Sequence, residues 1–167
     1  MKFVRLEAPA DIARLQQLLE RCSDYYELHE GCPTPSDAGE YELTFVPPNY
    51  VPDDLHVFAF EDERGVLQAL LQLYRNCPQP GTWWIAFLVV APELRSRGIG
   101  VQLLQHGLGI IGATSIRLAV SIHNPRGQKF WEAAGFRDTG KVADVTARNG
   151  HVDTVRILSL RAPSSRA

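Results

Sequence analysis

The strongest structural signal in the sequence is an almost unbroken run of apolar and aromatic residues, Trp83–Val90. A strand with one wet face alternates apolar and polar residues, whereas a continuous apolar run is typical of a strand buried on both faces. We therefore expect a sheet that carries helices on both sides. The 167 residues suffice for one such domain, which we assign to 1–160, with a flexible C-terminal tail at 161–167.

The rest of the chain predicts the other elements of a mixed sheet. Apolar residues recur at helical spacing from Asp11 to Cys22, and residues 23–30 either extend this helix or open a second one. A short helix with Ser36 as its N-cap is expected over 36–43. The remaining predicted elements are strands at 55–61, 66–74, 116–120, 142–147 and 152–160, and helices at 98–108 and 125–134. This order indicates an α+β (mixed α/β) fold.

A segment rich in glycine and arginine, Arg95-Ser96-Arg97-Gly98-Ile99-Gly100, lies between the central strand and the next helix. Glycines remove side chains where the backbone must approach a ligand, and the amides of a helix N-terminus favour anions. The two arginines add charge-assisted donors suited to phosphate oxygens. The segment predicts a phosphate site; the structural alternative is an ordinary glycine-containing turn with solvated arginines.

Charge is distributed unevenly along the chain. Residues 1–66 carry 14 acids against 5 bases, a net of -9, whereas residues 67–167 carry 5 acids against 12 bases, a net of +7. A polyanion is expected to prefer the second part and a cation the first. The total charge of -2 gives no support for nucleic-acid binding.

Several other classes of protein are excluded by composition. The three cysteines, Cys22, Cys32 and Cys77, have no CxxC spacing, so we expect neither a disulfide framework nor a metal site. Charged residues interrupt the N-terminus, so no signal peptide is expected. The longest uncharged stretch, Gly98–Ile116, is too polar and too rich in glycine for a membrane span. A cytoplasmic location without membrane contact is the expectation.

A second motif follows the first. Asn124 precedes Phe130-Trp131-Glu132-Ala133-Ala134-Gly135-Phe136. With Arg95–Gly100, this pattern resembles the GNAT superfamily of acetyl-CoA-dependent N-acetyltransferases, whose signatures are Q/R-x-x-G-x-G/A and, after a strand, N-x-x-A-x-x-F-Y-E-x-x-G-F. The resemblance extends over roughly residues 55–160. It implies a twisted mixed sheet of about six to seven strands with helices on both faces, and central strands that are splayed to admit CoA.

The resemblance also implies how acetyl-CoA, the cosubstrate, is held. The glycine- and arginine-rich segment would wrap the pyrophosphate, and backbone groups at the end of the central strand would pair with the pantetheine arm. Asn124 would hydrogen-bond the cofactor near the acetyl end, and Phe130 would line the CoA groove. The residues implied in cofactor binding are Leu88, Val89, Val90, Arg95, Ser96, Arg97, Gly98, Ile99, Gly100, Asn124 and Phe130.

Two departures from the family pattern concern proton transfer. Trp131 stands in place of the tyrosine that often protonates the departing CoA thiolate, and an indole N–H is not a useful acid. A thiolate is a tolerable leaving group, so transfer need not depend on that acid. Trp84 stands at about the position where some family members carry a general-base glutamate. The proton of an alkyl ammonium acceptor must then be taken by another residue or by a water chain.

Candidates for this base come mainly from the acidic first part of the chain, which in the family commonly covers the acceptor pocket. They are Asp24, Tyr25, Tyr26, Glu27, His29 and Glu30, together with His123 at a strand end. We single out Tyr26, Glu30 and His123 as catalytic candidates. For each of them, a solvated or packed structural role is the alternative.

The sequence thus predicts an N-acetyltransferase that moves the acetyl group of acetyl-CoA to a primary amine of a small molecule, such as a cationic amine or an amino acid. Direct attack is expected, because no cysteine lies near the ends of the central strands to form an acyl-enzyme. The alternatives are a catalytically weakened acyl-CoA-binding or regulatory module, and acetylation of a protein amine. A homodimer is left open.

Overall fold

The computed structural model describes residues 1–161 and places a seven-stranded sheet between two layers of helices. The strands are β1 (Lys2–Arg5), β2 (Leu55–Glu61), β3 (Leu67–Arg75), β4 (Trp83–Val90), β5 (Ser115–Ser121), β6 (Arg137–Thr146) and β7 (Val152–Arg161). The helices are α1 (Ile12–Arg21), α2 (Ser23–Glu30), α3 (Ala38–Thr44), α4 (Ile99–Ile111) and α5 (Pro125–Ala133). Within residues 1–161, every helix is too short or too polar to cross a membrane.

The strand order across the sheet is β1-β2-β3-β4-β5-β7-β6. All neighbouring strands are antiparallel except β4 and β5, which run parallel. The predicted mixed sheet of about six to seven strands is therefore confirmed. Strand β7 includes Arg161, where the predicted tail begins, and the rest of that tail, 162–167, lies outside the described residues.

One hydrophobic core lies between the sheet and helices α1 to α3. Helix α1 buries Leu15, Leu18 and Leu19, whose three- and four-residue spacing puts them on one helix face. They belong to the same cluster as Phe87 and Val89 of β4. This packing fixes the position of α2, the helix that follows α1 directly and lies over the end of β4.

The other core lies on the opposite face of the sheet, under α4 and α5. It contains Leu103 of α4, Trp131 of α5, and Phe136, which immediately precedes β6. Ile85 of β4 and Leu118 of β5 pack into the same cluster. Strand β4 therefore has side chains buried on both faces, as its continuous apolar run predicts.

The two parallel strands separate halfway along their length. Pairing between β4 and β5 ends at Ile85 and Leu118. On the other side of β4, Gln72 pairs with Phe87 and Leu73 pairs with Ile85, so Ala86 is the extra residue of a β-bulge. Because a bulge bends its strand and reverses the side-chain alternation, Ile85 and Phe87 pack on opposite faces of the sheet. The predicted splay of the central strands is thereby confirmed.

The cap predicted for the third helix is wrong. Helix α3 begins at Ala38 with Asp37, not Ser36, as its N-cap, and no side chain caps it. The carboxylate of Asp37 instead accepts two hydrogen bonds from the Arg148 guanidinium at 3.0 and 3.1 Å. The pair with Arg148 uses both carboxylate oxygens of Asp37, so this side chain is directed away from the first amides of α3.

Candidate active site

A cavity opens where β4 and β5 separate. Its volume is about 400 Å³, and its walls come from β4, β5, α2, and the first turns of α4 and α5. This is the carboxyl end of the two parallel strands, where α/β sheets bind ligands. Ten of the eleven residues that the sequence assigns to cofactor binding line it. The exception is Arg97, an exposed residue that is not part of its wall.

The N-terminus of α4 presents backbone amides to this cavity. Gly98 is the N-cap, with φ of 78°, and Ser96 also has a positive φ, of 63°. Such left-handed residues next to a helix start turn successive N–H groups inward, and the first-turn amides of a helix have no partner within it. The segment therefore offers several donors to an anion, as its composition predicts.

Gly100 lets the α4 backbone lie against the cavity wall. A Cβ at this position would stand 3.3 Å from the ring of Phe130 and 3.5 Å from the side chain of Leu88. Both neighbours line the cavity, so a side chain here would narrow the groove between α4 and β4. This close approach explains why the motif places a small residue at its second glycine position.

Arg95 already has protein partners. Its guanidinium makes two hydrogen bonds to Asp24, at 2.5 and 2.8 Å, and its Nε donates to the carbonyl of Val90 at 2.9 Å. Hydrogen bonds from Arg95 hold the pKa of Asp24 below its usual value. Arg95 therefore joins the α4 loop to α2. It also occupies a backbone acceptor that the resemblance assigns to the pantetheine arm.

Arg126 is a basic residue of the cavity that the sequence analysis does not single out. It lies in the first turn of α5, and its guanidinium is 3.4 Å from the Ser96 hydroxyl across the cavity mouth. A cation in the first turn of a helix is unfavourable with respect to the helix dipole. That unfavourable placement is the signal in the sequence that could have indicated an anion site here.

Asn124 caps α5 with its side chain. Its Oδ1 accepts a hydrogen bond from the Gly127 amide at 2.8 Å, and a Cβ on Gly127 would come within 2.6 Å of Asn124 Nδ2. Phe130 and Trp131 pack edge to face, with ring centroids 4.8 Å apart. Trp131 is 8% exposed and lines the cavity. The residue in place of the usual acid is therefore also a packing element of the second core.

The other end of the cavity is formed by α2, through Tyr25, Leu28 and His29. The rings of Tyr25 and His29 lie 4.3 Å apart, and Nδ1 of His29 lies 3.0 Å from Oδ2 of Asp153 on β7. Asp153 is 7% exposed, and its Oδ1 accepts a hydrogen bond from the Ser121 hydroxyl at 2.8 Å. A buried polar network thus connects α2 with the ends of β5 and β7.

The three catalytic candidates singled out from the sequence lie elsewhere. Tyr26 is 1% exposed, its hydroxyl is 3.4 Å from Glu42, and burial raises its pKa. His123 is exposed beyond the end of β5, and Glu30 is half-buried at the end of α2. None of the three is among the residues that line the cavity within the described chain. Of the wider candidate set, Asp24, Tyr25 and His29 do line it.

The residues present fit acetyl-CoA, an extended molecule with a diphosphate. The α4 amides and Arg126 suit the diphosphate, and the close approach at Gly100 leaves a groove beside β4. Among residues 1–161, no strand pairs with β4 beyond Ile85 on the β5 side, so its backbone can pair with an extended arm.

Comparison with known proteins identifies the family. The model of the acetyltransferase (GNAT) family matches residues 15–136. An acetyltransferase from Thermus thermophilus has a TM-score of 0.73 at 18% identity, over 97% of this chain and 98% of that chain. A spermidine N-acetyltransferase from Vibrio cholerae, in complex with CoA and spermine, has a TM-score of 0.68 at 21% identity, over 96% and 94%.

The ribosomal-protein-S18-alanine N-acetyltransferase from Escherichia coli has a TM-score of 0.67 at 16% identity, over 99% of this chain and 98% of that chain. The sequence has no significant match among curated proteins. The structural likenesses show the fold, and the family match spans most of the sequence. This chain belongs to the GNAT family of acetyltransferases.

Proposed function

We propose that this acyltransferase moves the acetyl group of acetyl-CoA to a primary amine of a small molecule by direct attack of the amine nitrogen on the thioester. The observation that carries the proposal is one continuous cavity with two chemically different ends. One end presents the amides of α4 and the basic side chain of Arg126, and the other presents the polar side chains Tyr25 and His29 of α2.

The roles of the chain's own residues follow from this layout. Bound acetyl-CoA supplies an activated acetyl thioester. The amides of α4 bind the diphosphate, and the exposed edge of β4 orients the extended arm so that its acetyl end lies toward α2. Phe130 and Trp131 exclude water from the groove beside β4, because both rings pack along its wall. The acceptor then enters from the side of α2.

Direct attack is supported by the position of the cysteines. Within residues 1–161, no cysteine is among the residues that line the cavity. Cys22 comes closest in the fold, but it is fully buried, and its Sγ lies 3.7 Å from the carbonyl of Val90. Burial raises the pKa of this thiol, which disfavours the thiolate that a covalent acyl-enzyme would require.

A positively charged acceptor is favoured by carboxylates around Tyr25. Burial raises the pKa of Tyr25, and repulsion from the nearby carboxyl groups of Glu42, Glu30 and Asp153 raises it further. Many other acids of the first part of the chain are instead paired on the surface, as Asp37 is with Arg148. The local carboxylates, not the net charge, support a cationic amine such as a polyamine or a basic amino acid.

Release of free CoA thiol tests the proposal. Purified protein and acetyl-CoA are incubated with spermidine, lysine, an aminoglycoside, phosphinothricin, or a peptide with N-terminal alanine. Thiol release that depends on one of the small amines supports the proposal. Release with the peptide alone assigns the protein-amine alternative. Acetyl-CoA binding without amine-dependent release from any acceptor assigns the binding module.

Salt separates the charge of the acceptor from its shape. The KM for a cationic acceptor should rise as ionic strength passes about 0.15 M, where the screening length is already about 8 Å. An uncharged amine of similar size is the control. An anionic best acceptor, or equal salt dependence for both amines, would reject the cationic class and leave the transfer reaction standing.

A further inference from the structure

The polar groups at the α2 end of the cavity form a linear series of hydrogen bonds. The backbone amide of His123 donates to Ser121 Oγ at 3.1 Å, and the Ser121 hydroxyl donates to Asp153 Oδ1 at 2.8 Å. The other carboxylate oxygen, Oδ2, is 3.0 Å from Nδ1 of His29. Each group thus has one defined partner on either side, and the series ends at an imidazole in the cavity wall.

This arrangement fixes the tautomer of His29. An ionised carboxylate only accepts hydrogen bonds, so Nδ1 carries the proton in the contact with Asp153. Nε2 is then the lone-pair nitrogen, and the described residues give it no hydrogen-bond partner. The ring is held in place by its contact with Tyr25, at 4.3 Å between centroids. An oriented imidazole whose Nε2 carries the lone pair, at the acceptor end of the cavity, is suited to take a proton.

We propose that His29 is the general base of the acetyl transfer and that Asp153 is its positioning residue. Nε2 takes a proton from the acceptor ammonium and passes it to solvent. The free amine then forms the N–C bond to the acetyl carbon, the C–S bond breaks, and its electron pair goes to sulfur. Nε2 takes the second proton from nitrogen and passes it to solvent, while the thiolate takes one proton from solvent. Two protons leave and one is taken up, so one proton is released per turnover and the imidazole is restored.

The surroundings of His29 are consistent with this role. Asp153 faces the ring from β7, Tyr25 and Glu30 share α2 with it, and the charge of Glu42 acts from α3 on the adjoining Tyr25. His151 of the β6–β7 hairpin packs beside α2's last turn, since a Cβ on Gly31 would lie 2.9 Å from its Nδ1. Asp153 is the carboxylate among these that hydrogen-bonds the imidazole.

Kinetics separate a base from a structural residue. The inference rests on the transfer function proposed above, so the assay uses an amine from the screen that releases thiol. His29→Gln should lower kcat by about 100-fold or more, in the range expected for loss of a general base. The loss should be much smaller for an acceptor of low basicity, such as trifluoroethylamine, because that amine is already neutral. A purely structural defect would affect both amines equally.

Control variants use similar side chains outside the cavity. His106→Gln changes a histidine that packs on Phe3 and Phe60. Asp144→Asn changes an exposed carboxylate that accepts from Thr154. Both should leave kcat within about twofold of the wild type. Asp153→Asn should lower kcat and leave KM for acetyl-CoA unchanged.

Nitrogen-detected NMR of the free protein gives a readout that needs no substrate. In wild type, the His29 ring should show the Nδ1–H tautomer; in Asp153→Asn this population should fall, since an amide can donate to Nδ1. An Nε2–H tautomer in wild type, or equal turnover by His29→Gln and wild type, would overturn the inference. If no amine is acetylated, the transfer function fails, and with it the base, whereas the tautomer result still reports whether the His29–Asp153 contact exists.

Discussion

Glu42, a buried carboxyl group of α3, should make the protein less stable as pH rises toward neutrality. It is 8% exposed, and its carboxylate oxygens accept hydrogen bonds from the Tyr26 hydroxyl and the Gln72 side-chain amide, at 3.4 and 2.9 Å. Burial is the largest cause that raises its pKa, to about 7 from 4.5, and repulsion from Glu30 adds to it. Replacement by glutamine keeps the shape and removes the titration.

The expected magnitude follows from the difference between these two pKa values. The folded state holds the proton more tightly than the unfolded state, so the stability contribution is present below pH 4.5 and lost as pH rises through about 7. A pKa that is higher by one in the folded state corresponds to about 1.4 kcal/mol. The free energy of unfolding of Glu42→Gln, relative to wild type, should therefore rise by about 2 to 3 kcal/mol between about pH 5 and pH 8.

Urea denaturation at several pH values measures this difference directly. Groups that titrate in both proteins cancel when the two free energies of unfolding are subtracted. Glu40→Gln, which changes an exposed side chain of the same helix, is the matched control and should give a difference that does not vary with pH. A difference for Glu42→Gln that is equally flat would refute the reasoning, because it would mean that burial does not disfavour the charged form of this carboxyl group.

Three further predictions concern the cavity. Gly98→Ala should cost about 1 kcal/mol of stability because φ is +78°, and calorimetry should show weaker acetyl-CoA binding. Gly109→Ala is the control: this glycine lies in the last turn of α4 with open space around it, so alanine should raise stability and leave acetyl-CoA binding unchanged. Trp131→Tyr should lower the melting temperature, since it removes part of a ring in the core, while thiol release is kept or raised. Asp24→Asn should lower the Kd for acetyl-CoA, because it frees Arg95 to bind the ligand, whereas Arg95→Ala should raise this Kd. If the two variants have the same Kd for acetyl-CoA, the Arg95–Asp24 ion pair does not control binding.

The fold was predictable because its signals are local. Each of three patterns predicts the element that contains it: the apolar run of β4, the helical spacing of apolar residues in α1 and the glycine-rich start of α4. The bulge at Ala86 is not visible in the sequence, because it depends on the register between β3 and β4. The place of β7 between β5 and β6 likewise depends on contacts between distant segments. The bulge lies where β4 and β5 stop pairing, at the opening of the cavity.

The candidate site was predictable at one end only. The loop at the phosphate end consists of consecutive residues, and its backbone conformation depends on glycine. Gly98 and Gly100 therefore indicate it directly in the sequence. At the other end, His29 and Asp153 are far apart along the chain, and no spacing links them. From the sequence, His29 is therefore one of several candidates for the base, and Asp153 is not a candidate.

The uneven distribution of charge along the chain reflects ion pairs within the fold as well as binding of charged ligands. Arg95 of the basic part pairs with Asp24, Arg148 pairs with Asp37, and Asp153 holds His29. The two charged parts thus contact each other along α2 and α3, and some of the charge of either part is paired within the fold. Few polar groups face the cavity. At one end these are backbone amides and Arg126, where a diphosphate fits, and at the other end the His29 imidazole, where an amine must lose its proton. The position of each charge, and not the sum over residues 1–66, therefore determines which ligand can bind at each end.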